Sequence, residues 1–259
     1  MHVVILCGGL GTRLREETEF RPKPMVNIGD HPILWHIMKI YAHYGYKDFV
    51  LSLGYKGEMI KEYFYHYELM NNDVIVELGR PERNDFVYHG FEEKGWRITL
   101  ANTGEKALKG ARLKKVERYI IGNEFMMTYG DGLADIDINA LLKFHRKHGK
   151  LATVTGINPA SRFGELSIDG ERVVAFNEKP MVGSGHINGG FFVFNKNIFD
   201  YITTDDDCDL EIGPLEKIAR EGQLMVYKHR GSWACMDTLR DMDYLNKLWN
   251  EGKAFWKTW

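Results

Sequence analysis

Little in this 259-residue chain would tie it to a membrane, an extracellular scaffold or a nucleic acid. Its three cysteines, Cys7, Cys208 and Cys235, are odd in number, far apart and never in a C-x-x-C pair. That spacing excludes a disulfide framework and a zinc knuckle, and predicts reduced thiols. An excess of either charge is also missing: 34 Lys and Arg face 36 Asp and Glu, for a formal net charge of -2. The field of the whole chain therefore gives no hold on nucleic acid, and any anion must be gripped by a local site. No apolar run reaches spanning length, and Val3-Val4-Ile5-Leu6 lacks the basic flank of a signal peptide. The expectation is a cytoplasmic protein that meets neither nucleic acid nor membrane. With seven prolines and no Ser/Pro-rich linker, repeat or low-complexity tract, one domain over 1–259 is expected.

What is present is a core-forming composition, 44% hydrophobic, arranged in alternating periods. Val3 to Leu6 is a continuous aliphatic run that suits a central parallel strand buried on both faces. The apolar stripe Ile33, Leu34, Ile37, Met38, Ile40, Tyr41, Tyr44, closed by Gly45, predicts a helix. Further strands are predicted at 48–53, 74–78, 96–101, 125–129 and 151–156, and helices at 58–69 and 138–148. The fold class is therefore α/β, a doubly wound, mostly parallel Rossmann-like sheet over 1–156, with its ligand at the carboxyl ends of the strands. Beyond 156, short segments at 164–168, 172–177 and 189–194 predict a smaller antiparallel β elaboration. Helices at 213–222 and 238–251, with a strand at 224–229 between them, close the chain.

The first strand ends Leu6-Cys7 and enters Gly8-Gly9-Leu10-Gly11-Thr12-Arg13. Glycines at such a turn bring backbone N–H groups close to a ligand, and the resulting nest favours anions. A dinucleotide fingerprint would need glycine at Leu14, and a Walker loop would need Gly-Lys-Ser/Thr where Arg13-Leu14-Arg15 stands. Arg13 follows the glycines directly, and Lys23 is stiffened between Pro22 and Pro24. Two fixed cations on one glycine loop point to a polyphosphate. Asp131, between Gly130 and Gly132 after an apolar strand, and Asp237, before a helix, are candidate Mg²⁺ ligands; taken singly, each reads equally well as a turn or cap aspartate.

The stretches L-C-G-G-L-G-T-R-L, P-K-P-M, Y-G-D-G at 129–132, F-N-E-K-P at 176–180, I-N-G-G-F-F-V at 187–193 and M-D-T-L-R-D at 236–241 resemble motifs of the sugar-1-phosphate nucleotidylyltransferases. They are similar in particular to members that use CTP and glucose 1-phosphate. The resemblance covers the whole chain. It implies CTP and glucose 1-phosphate as partners, Mg²⁺ as cofactor, and pyrophosphate release by in-line attack of the sugar phosphate on the α-phosphorus. It further implies a homo-oligomer, hexamer or trimer, and a product destined for surface polysaccharide.

By this resemblance the nucleotide is held by Leu6, Cys7, Gly8, Gly9, Gly11, Thr12, Arg13, Lys23, Thr103, Gly104, Arg112, Gly130 and Asp131. The sugar is held by Tyr129, Glu178, Lys179, Asn188 and Gly189, and the metal by Asp131 and Asp237. Arg13, Lys23 and Lys179 are the implied catalytic cations, the first two on the departing pyrophosphate and Lys179 on the sugar phosphate. Another base (UTP, dTTP or GTP), another sugar, or a non-catalytic sugar-nucleotide sensor stay open as alternatives.

Several tempting features have plainer readings. His145 and His148, at i and i+3, lack a third metal ligand. The aromatic group Tyr63, Phe64, Tyr65, Tyr67 suits core or subunit packing, since no basic residues interleave it. Asp135-Ile136-Asp137 matches a glycosyltransferase D-x-D only where a helix begins. Trp256 and Trp259 near the end would be costly if exposed, and a subunit contact is expected to cover them.

Overall fold

The computed structural model describes residues 1–75, 87–89, 93–158, 165–169, 171–177 and 185–259, with side chains for all of these except 87–89, 165–169 and 175–177. Seven strands form one sheet: β1 (His2–Cys7), β2 (Asp48–Leu53), β3 (Arg97–Asn102), β4 (Glu124–Tyr129), β5 (Ala152–Ile157), β6 (Ile187–Asn195) and β7 (Leu224–His229). Their order is β7-β5-β6-β4-β1-β2-β3. β1 is parallel to β2 and β4, β2 to β3, and β5 to β7. β6 is antiparallel to both of its neighbours, β4 and β5. The sheet is thus mixed and mostly parallel, as expected.

Alternation along β1 explains the two layers of helices. Val3, Ile5 and Cys7 face one core, shared with helix α1 (Ile33–His43) and with Leu141, Leu142 and Leu245. Val4 and Leu6 face the other, shared with Leu113, Val116, Phe199 and Ile218. Leu113 belongs to a helix that the periodicity did not reveal, α2 (Lys109–Lys115). α3 (Ile138–His148) starts where the Asp137 side chain accepts from the Ala140 N–H, and α4 (Leu239–Asn250) starts on a capping box between Thr238 and Asp241. No helix among the described residues is long and apolar enough to cross a membrane.

Three expectations are corrected. The 189–194 segment lies between β4 and β5 in the main sheet, not in a peripheral elaboration. Phe191, Phe192, Val193 and Phe194 are all fully buried, and a strand apolar on both faces needs a covered sheet centre. The antiparallel piece that remains is the hairpin of Glu165–Asp169 with Arg172–Asn177. The helix expected over 213–222 is regular only at Glu216–Arg220, because Gly213 is left-handed (φ 96°) and Pro214 has no N–H to donate. The C-terminal tryptophans are covered by their own chain: Trp256 is 0% exposed, with its Nε1 donating to His36 Nδ1 at 3.3 Å, and Trp259 meets Trp35 edge-on at 5.9 Å.

Candidate active site

β1, β2, β3 and β4 all end at the same edge of the sheet, and β6, running the other way, begins there. Gly8, Thr103, Gly130 and Asn188 therefore collect at one rim, the place where open α/β sheets hold ligands. Leu6 and Cys7 complete β1 with their side chains in the two cores, and burial pushes the Cys7 thiol up, away from ionisation. The loop then folds into a single turn, Thr12–Leu14, pinned by the Thr18 hydroxyl, which donates to the carbonyls of Gly11 and Leu14 at 3.0 Å each. Gly9 and Arg13 lie on its open side.

Sequence-distant charges meet beside this loop. The short strand Trp233–Cys235 pairs with Gly132–Ala134, placing Cys235 opposite Gly132, and the Met236 N–H donates to the Asp131 carbonyl at 2.9 Å. That pairing sets Asp237 against Asp131, although 106 positions separate them in the chain. Lys23 reaches both carboxylates, with Nζ 2.7 Å from Asp131 Oδ2 and 2.6 Å from Asp237 Oδ1. Arg13 Nη1 is 2.9 Å from Asp237 Oδ2. Gly130 permits this convergence, since a side chain there would press on the Leu6 carbonyl at 2.8 Å and on Pro24 at 3.0 Å.

The electrostatics follow from the geometry. Burial works to raise the Asp237 pKa, but Lys23 and then Arg13 overcome it and hold the carboxyl below its ordinary value. Burial likewise works against the Lys23 ammonium, and its two carboxylate partners raise its pKa in spite of that. The Cys235 thiol, in contact with Asp237 at 3.4 Å, is pushed up to about 12 by burial and by the neighbouring carboxylates. Two carboxylates held ready for a cation, with two cations next to an exposed glycine loop, can take up a polyphosphate and its counter-ion.

Arg112 occupies the same rim in another way. Its guanidinium is buried, with Nη2 donating to the carbonyls of Gly8 and Glu105, both at 2.9 Å, and Nη1 to the Gly104 carbonyl at 2.6 Å and Thr103 Oγ1 at 2.9 Å. A side chain at Gly8 would collide with this guanidinium. Thr103 is buried too, its hydroxyl donating to the Leu53 carbonyl at 2.7 Å. Arg112 and Thr103 therefore tie the glycine loop to the 103–105 segment, leaving Gly104 and Glu105 on the outside.

On the far side of Asp131, Tyr129 and Asn188 come together as expected: Asn188 Nδ2 donates to the Tyr129 hydroxyl at 3.0 Å. Gly189 sits between them and the indole of Trp233, whose Nε1 donates to its carbonyl at 2.8 Å. Two partners here were not foreseen. Glu211 accepts from the Tyr129 hydroxyl, and Lys109 Nζ is 2.6 Å from the same carboxylate oxygen. Glu211 lies in the irregular turn before Gly213-Pro214, where no periodic pattern points. Glu178 and Lys179 lie outside the described residues.

The discounted features hold their plainer roles. Asp135 pairs with His229 at 2.9 Å and Asp137 caps α3. His145 Nδ1 and His148 Nε2 both bond Thr153 Oγ1, at 2.8 and 2.7 Å. No group of three or more His, Cys, Asp or Glu among the described residues is arranged to hold a metal. Tyr63, Phe64 and Tyr67 pack ring against ring, while Tyr65 is 85% exposed.

Comparison with known proteins agrees with this geometry. The chain is 50% identical, over 260 residues and the full length of both, to a glucose-1-phosphate cytidylyltransferase of Salmonella typhi. It is 32% identical to a D-glycero-alpha-D-manno-heptose 1-phosphate guanylyltransferase of Campylobacter jejuni, over 82% of this chain and 83% of that one. In three dimensions it is similar to HddC from Yersinia pseudotuberculosis, with a TM-score of 0.68 at 23% identity over 96% of this chain and 99% of that one. It is likewise similar to the inositol-1-phosphate CTP transferase from T. maritima, with a TM-score of 0.67 at 15% identity over 99% and 96%. Residues 2–247 match the model of the nucleotidyl transferase family, and the chain belongs to that family.

Proposed function

We propose that this chain transfers the cytidylyl group of CTP to α-D-glucose 1-phosphate, releasing pyrophosphate and leaving CDP-glucose. The observation that carries the reading is the Arg13, Lys23, Asp131, Asp237 constellation beside the glycine loop, in a chain related end to end to an enzyme named for that reaction. An oxygen of the sugar phosphate forms the new bond to the α-phosphorus as the bond to the β-phosphate bridge breaks, so no protein nucleophile is required. Orientation and charge stabilisation then supply the rate.

Each residue's part follows from its place. The Gly8–Gly11 turn offers backbone N–H groups to the triphosphate, and Arg13 and Lys23 neutralise the charge that builds on the departing pyrophosphate. Asn188 and Tyr129 meet the hexose, and Lys179 is assigned to the sugar phosphate by its motif. Base choice falls to the rim segment 103–105 that Arg112 holds in place, since such discrimination rests on a few hydrogen bonds.

What supports Mg²⁺ as the cofactor is the chemistry of the carboxylate pair. Asp131 and Asp237 present hard oxygen donors that already share one cationic partner, the Lys23 ammonium, and Mg²⁺ takes one or two carboxylates with phosphate oxygens and water. When bound, it would neutralise phosphate charge and align the triphosphate. A cytoplasmic homo-oligomer whose product feeds surface polysaccharide completes the proposal.

The test is pyrophosphate release with Mg²⁺ and glucose 1-phosphate, run in parallel with CTP, UTP, dTTP, GTP and ATP. The expected result is turnover dominated by CTP. Turnover with another nucleotide would overturn the base assignment and keep the chemistry. Nucleotide binding without turnover would favour a sensor.

A further inference from the structure

Glu211 has no part in the substrate contacts assigned so far. Glu211 accepts the Tyr129 hydroxyl through Oε1 and is held there by Lys109. Its other carboxylate oxygen is buried with no hydrogen-bond partner among the described residues. The Tyr129 hydroxyl, committed to Glu211, accepts from Asn188 Nδ2 at 3.0 Å, and Asn188 Oδ1 accepts from the Gly190 N–H at 2.8 Å.

Direction along this chain is not free. An ionised carboxylate only accepts, so the phenol must donate to it and can offer Asn188 only a lone pair. Asn188 must then turn its amide N–H toward Tyr129, and the backbone N–H of Gly190 claims its oxygen from the opposite side. One N–H of Asn188 is left over for a ligand. The amide is thus held in one of its two flips from both sides, by the Gly190 N–H on its oxygen and by the Glu211-bound phenol on its nitrogen.

We propose that Glu211 is a positioning residue: through Tyr129 it fixes the orientation of the Asn188 amide, and so dictates that a sugar hydroxyl meets a hydrogen-bond donor at this point. The inference rests on the assignment of Asn188 to the hexose. Loss of the carboxylate lets the phenol reverse, leaving only the Gly190 N–H against a turn of the amide, and so weakens the sugar contact without touching the triphosphate loop.

The experiment compares steady-state kinetics of Glu211→Gln, Tyr129→Phe, Asn188→Ala and the Glu211→Gln/Asn188→Ala double variant, with thermal melts alongside. Glu211→Gln is expected to raise KM for glucose 1-phosphate by roughly tenfold, the scale of one hydrogen bond in a discriminating site, with KM for CTP and the melting point unchanged. Tyr129→Phe should reproduce that split, and provides the test if Glu211→Gln does not fold. The double variant should be no worse than Asn188→Ala alone, since both changes act through one contact. Discrimination against the deoxy-glucose 1-phosphate lacking the hydroxyl that Asn188 meets should vanish in Glu211→Gln. If Asn188→Ala raises the sugar KM while Glu211→Gln and Tyr129→Phe do not, the positioning role is wrong and the sugar site stands. A KM unaltered in Asn188→Ala would remove the sugar site and the inference with it. Equal rises in KM for both substrates with a lowered melting point would reduce Glu211 to a structural part.

Discussion

Lys23 and Arg112 are two partly or wholly buried cations on the same rim, and their partners differ in kind. Lys23 is bound by the side chains of Asp131 and Asp237, which can exchange it for another cation while Lys23 takes a phosphate. Arg112 is bound by the Gly8, Gly104 and Glu105 carbonyls, which cannot leave without unmaking the loops they belong to. A charge held between carboxylate side chains can be handed on to a ligand, whereas one held by backbone carbonyls also ties together the loops that carry them.

The largest separation between the two is expected in turnover. Lys23→Ala should lower kcat by roughly a hundred- to a thousandfold, the scale of one electrostatic contact to a developing charge, while leaving the denaturant midpoint nearly unchanged. Full activity would remove Lys23 from the chemistry, and a large drop in stability would place it with Arg112.

Arg112→Met should do the reverse, lowering unfolding free energy by about 3 kcal/mol, because buried carbonyls lose a charged donor with nothing in its place. Denaturant titration reads this directly, and a loss of CTP affinity with stability intact would instead make Arg112 a ligand contact.

His36 is a second group committed to the fold. Burial pushes its pKa down to about 4, with the Ile28 carbonyl on one nitrogen and Trp256 on the other. Unfolded, it would take a proton below its ordinary pKa of 6.5, so the unfolded state binds more protons between that value and about 4. Stability should therefore fall as pH falls through this window, by about 3 kcal/mol, and the fall should be absent in a folded His36→Gln variant. An identical pH profile in that variant would sever the link.

The smallest effect is expected at the carboxylates. Asp237→Asn should shift the Mg²⁺ titration of activity by about tenfold, one ligand's share of a site completed by phosphate and water, with little change in the KM for glucose 1-phosphate. An unmoved titration would leave Asp237 as the partner of Lys23 and Arg13 alone.

Part of this arrangement was legible in the amino-acid sequence alone. The strands β2, β5 and β7 and helix α3 were legible because their periodicity and their bounding glycines agree. Lys23, Asp131 and Asp237 were legible as separate motifs. That Lys23 would bridge the two aspartates was not, because the bridge depends on the three-residue pairing of Trp233–Cys235 with Gly132–Ala134, too short to leave a pattern. The hold of Arg112 on the Gly8, Gly104 and Glu105 carbonyls was not legible for a related reason: which carbonyls surround a buried arginine is decided by loops distant in the chain. Trp256 was assigned to a partner because nothing local shows that His36 and Trp249 form its pocket. Glu211 was invisible in a turn with no period at all.

A crystal structure with CTP and Mg²⁺ bound would test the distinction between the two cations most directly. The account predicts Lys23 Nζ on a phosphate oxygen, no longer shared by Asp131 and Asp237, with every Arg112 contact to Gly8, Gly104 and Glu105 unchanged. Lys23 still bridging the two carboxylates beneath a bound nucleotide, or Arg112 drawn out to meet it, would contradict the account.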